Sequence, residues 1–335
     1  MQGEAVLYEK VGGKVRCTAC RRYCTLADGQ IGFCGVRQNM GGRLYLNVYG
    51  RPMAVQIDPI EKKPVLHMHP GYRILSIGTA GCDFACQFCQ NFELSQRRRP
   101  EGYDMGPEDI VSEAISYGCG GIAYTYNEPT IFSEFARDVG VLARREGLIN
   151  IFVTNGFETR ESVGFISGFL DAATVDFKGN ASKEFYRKVM SVFDVDLIYD
   201  TIAEMLAGGI HVEVTDLVVP RIGDSLDEAR AMLGRIMDIC GPDVPISFLR
   251  FHPDYRLMSL PNTPVGVLER HAELAKSMGF HYVYIGNVPG HRLQNTYCPG
   301  CGSLLVERDM MRTLRIRLTP DSRCPDCGYS IPFVL

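Results

Sequence analysis

Between residues 72 and 287, short apolar runs alternate with longer mixed ones, and that alternation sets the fold class. "YRILSIGTAG" (72–81), "GIAYTY" (121–126), "INIFVTNG" (149–156), "AATVDFKG" (172–179), "HVEVTDLVVP" (211–220), "PISFLRFH" (245–252) and "HYVYIGN" (281–287) read as strands. The stretches 106–118, 129–147, 159–170, 182–208, 225–240 and 265–279 read as helices. The first of these opens on Gly-Pro-Glu-Asp, with proline and acids in its first turn. The strands are rich in Val, Ile, Tyr and Phe and lack strict polar alternation. Strands covered on both faces have that composition, so a parallel sheet is predicted. The fold class is α/β, either a closed or partial β/α barrel or an open doubly wound sheet. In both, chemistry gathers at the C-terminal ends of the strands.

The unusual residues fall there. Cys82 follows the first strand, Asn127-Glu128 the second and Asn155-Gly156 the third; Asp176 and Lys178 end the fourth, and His252 ends the sixth. Net charge is −4 over 335 residues, so no whole-protein field favours nucleic acid or an anionic membrane. The basic run Arg97-Arg98-Arg99 is read as a solvated loop. The N-terminus, "MQGEAVLYEKVGGKVRC", has no apolar signal core, and no segment reaches the roughly 18 apolar residues of a membrane helix. A cytoplasmic location is expected. Disulfides are rare in that compartment, so 13 cysteines point to metal sites wherever their spacing allows.

The spacing allows three. Cys82-x3-Cys86-x2-Cys89 supplies three thiolates from one loop. Soft thiolates suit zinc, copper(I) or iron–sulfur clusters. A structural zinc site wants a fourth protein ligand, whereas a [4Fe-4S] cluster with three cysteines keeps one iron open for a small molecule. Cys298-x2-Cys301 and Cys324-x2-Cys327, each followed by glycine, form two knuckles around a strand pair and read as a zinc ribbon or rubredoxin-like module, with zinc as the metal. Cys17, Cys20, Cys24 and Cys34 form a third set, for zinc or an auxiliary iron–sulfur cluster. Cys119 and Cys240 stand alone and read as small buried hydrophobes. Lys62, Lys63, His67 and His69 are read as a structured linker.

Cys82-x3-Cys86-x-Phe88-Cys89, with an aromatic residue before the last cysteine, resembles the radical S-adenosylmethionine (radical SAM) signature. "SIGTAGCDFACQFCQN", "YTYNEPT", "VTNGF", "VDFKG", "RFHPDYR" and "YIGNVPGH" extend the resemblance over nearly the whole chain. It looks most like the pyruvate formate-lyase activating enzyme branch, and within it the radical SAM member of the AmmeMemoRadiSam system. The resemblance implies a partial (β/α)6-type TIM-like barrel over 71–290, a cysteine-rich metal-binding extension over 1–70 and a C-terminal module over 291–335. It implies a [4Fe-4S] cluster on Cys82, Cys86 and Cys89, with SAM as the other cofactor. An external one-electron donor of flavodoxin or ferredoxin type is implied as a partner, with a protein or peptide substrate or partner proteins of the same system.

The same resemblance implies SAM contacts residue by residue. Asn127-Glu128 stands at the family's Gly-Gly-Glu element, which receives the methionine ammonium; Tyr126-Asn127 replaces the two glycines. "VTNG" stands at an Asp-Thr-Asn-Gly element, with Val153 for the aspartate and Asn155 kept. Asp176 and Lys178 match an Asp-Leu-Lys strand end, for the ribose side and the methionine carboxylate. His252 matches a histidine near SAM, and Phe88 packs against the adenine or the cluster. Two other readings stand beside this one: a glycyl-radical enzyme activase, and a zinc-dependent scaffold with a degenerate barrel.

Overall fold

The computed structural model describes residues 2–335. Its centre is one eight-stranded sheet: β1 (Ala54–Pro59), β2 (Arg73–Gly78), β3 (Gly121–Tyr124), β4 (Ile149–Thr154), β5 (Ala172–Lys178), β6 (His211–Val218), β7 (Ile246–Arg250) and β8 (Val283–Gly286). Neighbours in the chain are neighbours in the sheet. From β2 to β8 every pairing is parallel, as predicted. The first strand was not foreseen. It pairs antiparallel with β2, Ala54 opposite Gly78 and Pro59 opposite Arg73. The central sheet thus starts within the stretch assigned from sequence to the N-terminal extension.

The connecting helices are α1 (Pro107–Ser116), α2 (Ser133–Arg145), α3 (Arg160–Ile166), α4 (Leu197–Ala207), α5 (Leu226–Cys240) and α6 (Val265–Ser277). Local chemistry explains their starts. Pro107 takes the first helical position of α1, and Asp109 Oδ2 accepts the Gly106 N–H at 2.8 Å. Thr159 Oγ1 accepts the Ser162 N–H at 3.0 Å and caps α3. Between β5 and α4 the predicted helix is broken. A wide turn with π-type hydrogen bonding covers Tyr186–Met190, and Ser191 has φ of +59°. Such a turn frees carbonyls from the helical ladder.

Helix and strand faces meet in one large apolar core. A smaller cluster of Ile60, Val65, Met68, Ile74, Ala123, Ile151 and Ala172 closes the end of the sheet where the strands begin. The segment 60–72 is the structured linker expected. Lys62 and Lys63 each pair with Asp58 at 2.7 Å, and His67 Nε2 lies 2.6 Å from the Tyr284 hydroxyl and stacks on Phe333. His69 stacks on Tyr72. Cys119 is buried and Cys240 half-buried against the core.

Two small three-stranded sheets form within residues 3–46, and a third follows β8 with its main hairpin at Leu304–Asp309 and Arg312–Ile316. The N-terminal module is fastened to α2 by a buried pair. Arg37 donates to both carboxylate oxygens of Glu134, with Nη1 at 3.1 Å from Oε1, and its Nε reaches the Ile131 carbonyl at 2.8 Å. Glu134 Oε1 also accepts the Val6 and Leu7 N–H groups at 3.1 and 3.3 Å. Removing one partner of a buried pair strands the other charge. Glu134→Ala is therefore expected to destabilise the protein by about 3–5 kcal/mol in urea denaturation and to expose the first fifty or so residues to limited proteolysis. A loss under about 1 kcal/mol would show that the pair does not hold the module.

Candidate functional site

The loop after β2 carries Cys82, Cys86 and Cys89, and several neighbours fix it. Asn127 reaches across from the end of β3: its Oδ1 accepts the Thr79 N–H at 3.1 Å and its Nδ2 donates to the Gly81 carbonyl at 2.8 Å. Carbonyls freed by the wide turn take the next part of the loop. The Ala85 N–H donates to the Met190 carbonyl and the Gln87 N–H to the Val189 carbonyl, both at 3.0 Å. The Gln87 carbonyl in turn accepts the Arg256 N–H at 2.8 Å.

So held, the three cysteines line one cavity of about 260 Å³. Phe88, Asn127, Glu128, Asn155, Asp176, Lys178 and His252 line it too, so every site residue expected at the strand ends arrives at the same place. The lining runs from the loop after β2 to Asn287 after β8. Ends of seven parallel strands can surround one cavity only if the sheet curls, so this is an open, curved sheet of partial-barrel type. Cys82 and Cys86 are buried and Cys89 half-buried. Burial pushes all three thiols up, Cys86 to about 12. Bare thiolates would not persist there; a positive centre would hold them deprotonated. That donor set fits a thiolate-bound metal cluster.

Glu128 is buried. Its carboxylate accepts the Asn155 N–H at 2.7 Å, the Thr130 N–H at 3.0 Å and the Thr154 hydroxyl at 2.8 Å. It therefore caps the short turn Pro129–Phe132 while facing the cavity. Burial first, then the neighbouring carboxylates Glu158 and Asp83, push Glu128 well above the usual carboxylate range. Burial raises Glu158 to about 7. The Thr154 hydroxyl lies 2.6 Å from Glu158 Oε1 as well. With one proton for two carboxyls, one of the two contacts needs a proton on the acid. A cation entering beside Glu128 would relieve that crowding, so the site is suited to an ammonium group.

Asp176 and Lys178 share one face of β5, as residues two apart on a strand must. Lys178 Nζ lies 3.5 Å from Asp176 Oδ2, and the Thr215 hydroxyl from β6 donates to Asp176 Oδ1. Phe88 is buried against Phe185 and Phe251, while His252 is exposed at the mouth. Asn155 uses its side chain locally: Nδ2 donates to Asp83 Oδ1 at 2.8 Å and Oδ1 accepts the Phe157 N–H at 3.0 Å. Tyr126 takes φ of +70°, the left-handed backbone that glycine adopts freely. Its hydroxyl donates to Asp58 Oδ2 at 2.7 Å, which anchors it there.

Sequence reading missed Asp83, Glu158 and Thr215. Asp83 and Glu158 sit next to flagged residues, in "GCDF" and "NGFE", and that adjacency was the available signal. Gly290-His291-Arg292 is not on the cavity lining; the His291 ring accepts the Leu293 N–H at 3.1 Å and caps a short turn.

The C-terminal cysteines form a separate, tight group. Cys298 and Cys327 sulfurs lie 3.5 Å apart, Cys301 and Cys324 sulfurs 3.7 Å apart, and all four fall within 4.8 Å of one another. Gly302 and Gly328, at φ of +77° and +76°, turn each knuckle back so that their N–H groups donate to the Cys298 and Cys324 carbonyls. No helix of the described residues is long and apolar enough to cross a membrane.

The radical SAM superfamily profile matches residues 76–236, from the end of β2 into α5. An uncharacterized protein of Methanocaldococcus jannaschii is 43% identical over 99% of both chains. The pyruvate formate-lyase 1-activating enzyme of Escherichia coli K12 is 25% identical over 55% of this chain and 75% of its own length. Among solved structures, Streptococcus suis SuiB bound to S-adenosylmethionine aligns with a TM-score of 0.50 at 12% identity, covering 68% of this chain and 55% of that one. That last likeness concerns the fold.

One buried acid beside the site makes a pH test available. Asp216 on β6 accepts the Asn180 N–H at 3.0 Å, and burial raises it to about 7. The folded chain then binds a proton more tightly than the unfolded one, so stability falls as pH rises from about 4 to about 7. Asp216→Asn keeps the acceptor and removes the titration. The variant is expected to gain stability over the parent at pH 8 but not at pH 4 in urea titrations; an equal effect at both would refute the assignment.

Proposed function

We propose, since this chain belongs to the radical SAM superfamily, that it is an enzyme of the activating-enzyme type that uses SAM to oxidise a C–H bond in a peptide, protein or partner-delivered substrate. The observation that carries the reading is the single cavity shared by three thiols, a buried carboxylate and a lysine. In this family a reduced [4Fe-4S] cluster supplies an electron that cleaves SAM to methionine and a 5′-deoxyadenosyl radical, which abstracts hydrogen.

The residues of this chain would do the rest. Cys82, Cys86 and Cys89 would hold the cluster and leave one coordination position free. Glu128, already crowded by acids, would take the methionine ammonium. Lys178 would pair with the methionine carboxylate, and Asp176, oriented by Thr215, would accept from the ribose. Phe88 would wall the adenine side and His252 the mouth. Asn127 and Asn155 would act by holding the cysteine loop and the acids in place. The cavity floor, closed by packed side chains, would keep water from the reacting atoms. A flavodoxin- or ferredoxin-type protein would supply the electron, and the C-terminal four cysteines would hold a structural zinc. Identity to a pyruvate formate-lyase activating enzyme favours, as second reading, hydrogen abstraction from a glycine of a partner protein.

Anaerobically reconstituted protein, reduced and given SAM, is expected to release 5′-deoxyadenosine and methionine. Iron-replete protein that releases neither would sink the reading. Cys82→Ala should lose about four irons, keep its zinc and make no 5′-deoxyadenosine. Lys178→Ala should keep the iron and weaken SAM binding about 10- to 100-fold, the worth of a charge-assisted contact; unchanged SAM affinity would remove Lys178 from the site.

A further inference from the structure

We propose that the Ser95 hydroxyl donates to the Cys89 sulfur and thereby raises the reduction potential of the iron–sulfur centre that Cys82, Cys86 and Cys89 would hold, a role that rests on the cluster reading above. Ser95 is then a positioning residue that acts through Cys89. It ends the single helical turn Phe92–Ser95, six residues after the last cysteine of the loop, and is buried. Its Oγ lies 3.0 Å from Cys89 Sγ.

The neighbours fix the direction of that bond. Gln96 Nε2 lies 3.3 Å from the Phe84 carbonyl and 3.1 Å from Ser95 Oγ. A carbonyl only accepts, so the Gln96 amide must turn its NH2 group toward Phe84. The same NH2 group then donates to Ser95 Oγ, and the hydroxyl proton is left for Cys89. A metal-bound thiolate carries no proton and can only accept one. The peptide carbonyl of Phe84 thus sets the polarity of the whole chain from Gln96 through Ser95 to Cys89.

The hydroxyl has no backbone to hold. Its hydrogen bonds run to the Cys89 and Gln96 side chains. Main-chain bonds secure the turn without it: the Ser95 N–H donates to the Asn91 carbonyl and the Gly81 N–H to the Leu94 carbonyl, both at 2.9 Å. The other two sulfurs lack such a partner. Cys82 Sγ accepts the Phe84 N–H at 3.5 Å, and among the described residues no hydroxyl is hydrogen-bonded to Cys82 or Cys86. Reduction adds negative charge to a thiolate-bound centre, so a donor at one sulfur favours the reduced form over the oxidised one. An external one-electron donor then has less work to do.

The test is a redox titration of full-length protein, reconstituted anaerobically without SAM and followed by electron paramagnetic resonance. The signal read is the one that Cys82→Ala abolishes. Ser95→Ala is expected to keep the parent's iron and to show a reduced-to-oxidised ratio about tenfold lower at the same ambient potential, a fall of about 59 mV for one electron. Ser95→Thr, which keeps the hydroxyl, should move back toward the parent value. An unmoved midpoint in iron-replete Ser95→Ala overturns the proposal. So does a fall that Ser95→Thr does not reverse, which would trace it to packing, or weaker SAM binding at an unchanged midpoint, which would give Ser95 to the ligand. Should Ser95→Ala fail to hold iron, electron–nuclear double resonance on the reduced, unmutated protein reads the hydroxyl proton as a coupling that deuterium oxide removes; its absence overturns the proposal. Unmutated protein that takes up no iron fails the cluster reading and this role together, whereas iron present with an unmoved midpoint fails this role alone.

Discussion

The site rests on the grip that Asn127 keeps on the start of the cysteine loop. Three thiols from one loop point inward only if the loop is held in place. Asn127 holds the first end through Thr79 and Gly81, and the wide turn at Tyr186–Met190 holds the middle through Ala85 and Gln87. Each contact joins the loop to a different part of the α/β frame, so the frame sets the sulfur positions. The cost is visible elsewhere. Tyr126 must sit in the left-handed region to aim Asn127, and a helix is broken to free the carbonyls.

The same frame concentrates acid. Asp83, Glu128 and Glu158 are all buried, joined through Asn155 and Thr154. Left alone, such a group resists ionisation. A bound ammonium at Glu128 would ease it, so ligand binding and charge balance are coupled. Lys178, with Asp176 beside it, is the only lysine or arginine among the described residues that line the cavity.

Much of this was legible in the sequence. The parallel strands carried β-branched runs, and the functional residues sat at their ends, where a parallel fold brings them together. The three-cysteine motif and both knuckles were visible from spacing. Other features were not. Ala54–Pro59 is short, ends in proline and carries Gln and Asp, so it reads as loop until β2 pairs with it. Nothing in the sequence marks Asp83 and Glu158 as buried, since acids are mostly exposed, and only packing shows them so. That Asn127 works through its side chain on the loop is a tertiary fact, since its partners are 46 and 48 residues away.

The most direct test of the central claim is the electron paramagnetic resonance spectrum of the reduced, iron-replete protein with and without SAM. If the three-cysteine site leaves an iron open to SAM, the signal changes on adding SAM, and Cys82→Ala abolishes that change. A spectrum indifferent to SAM, with Cys82, Cys86 and Cys89 intact and the iron present, would contradict the account.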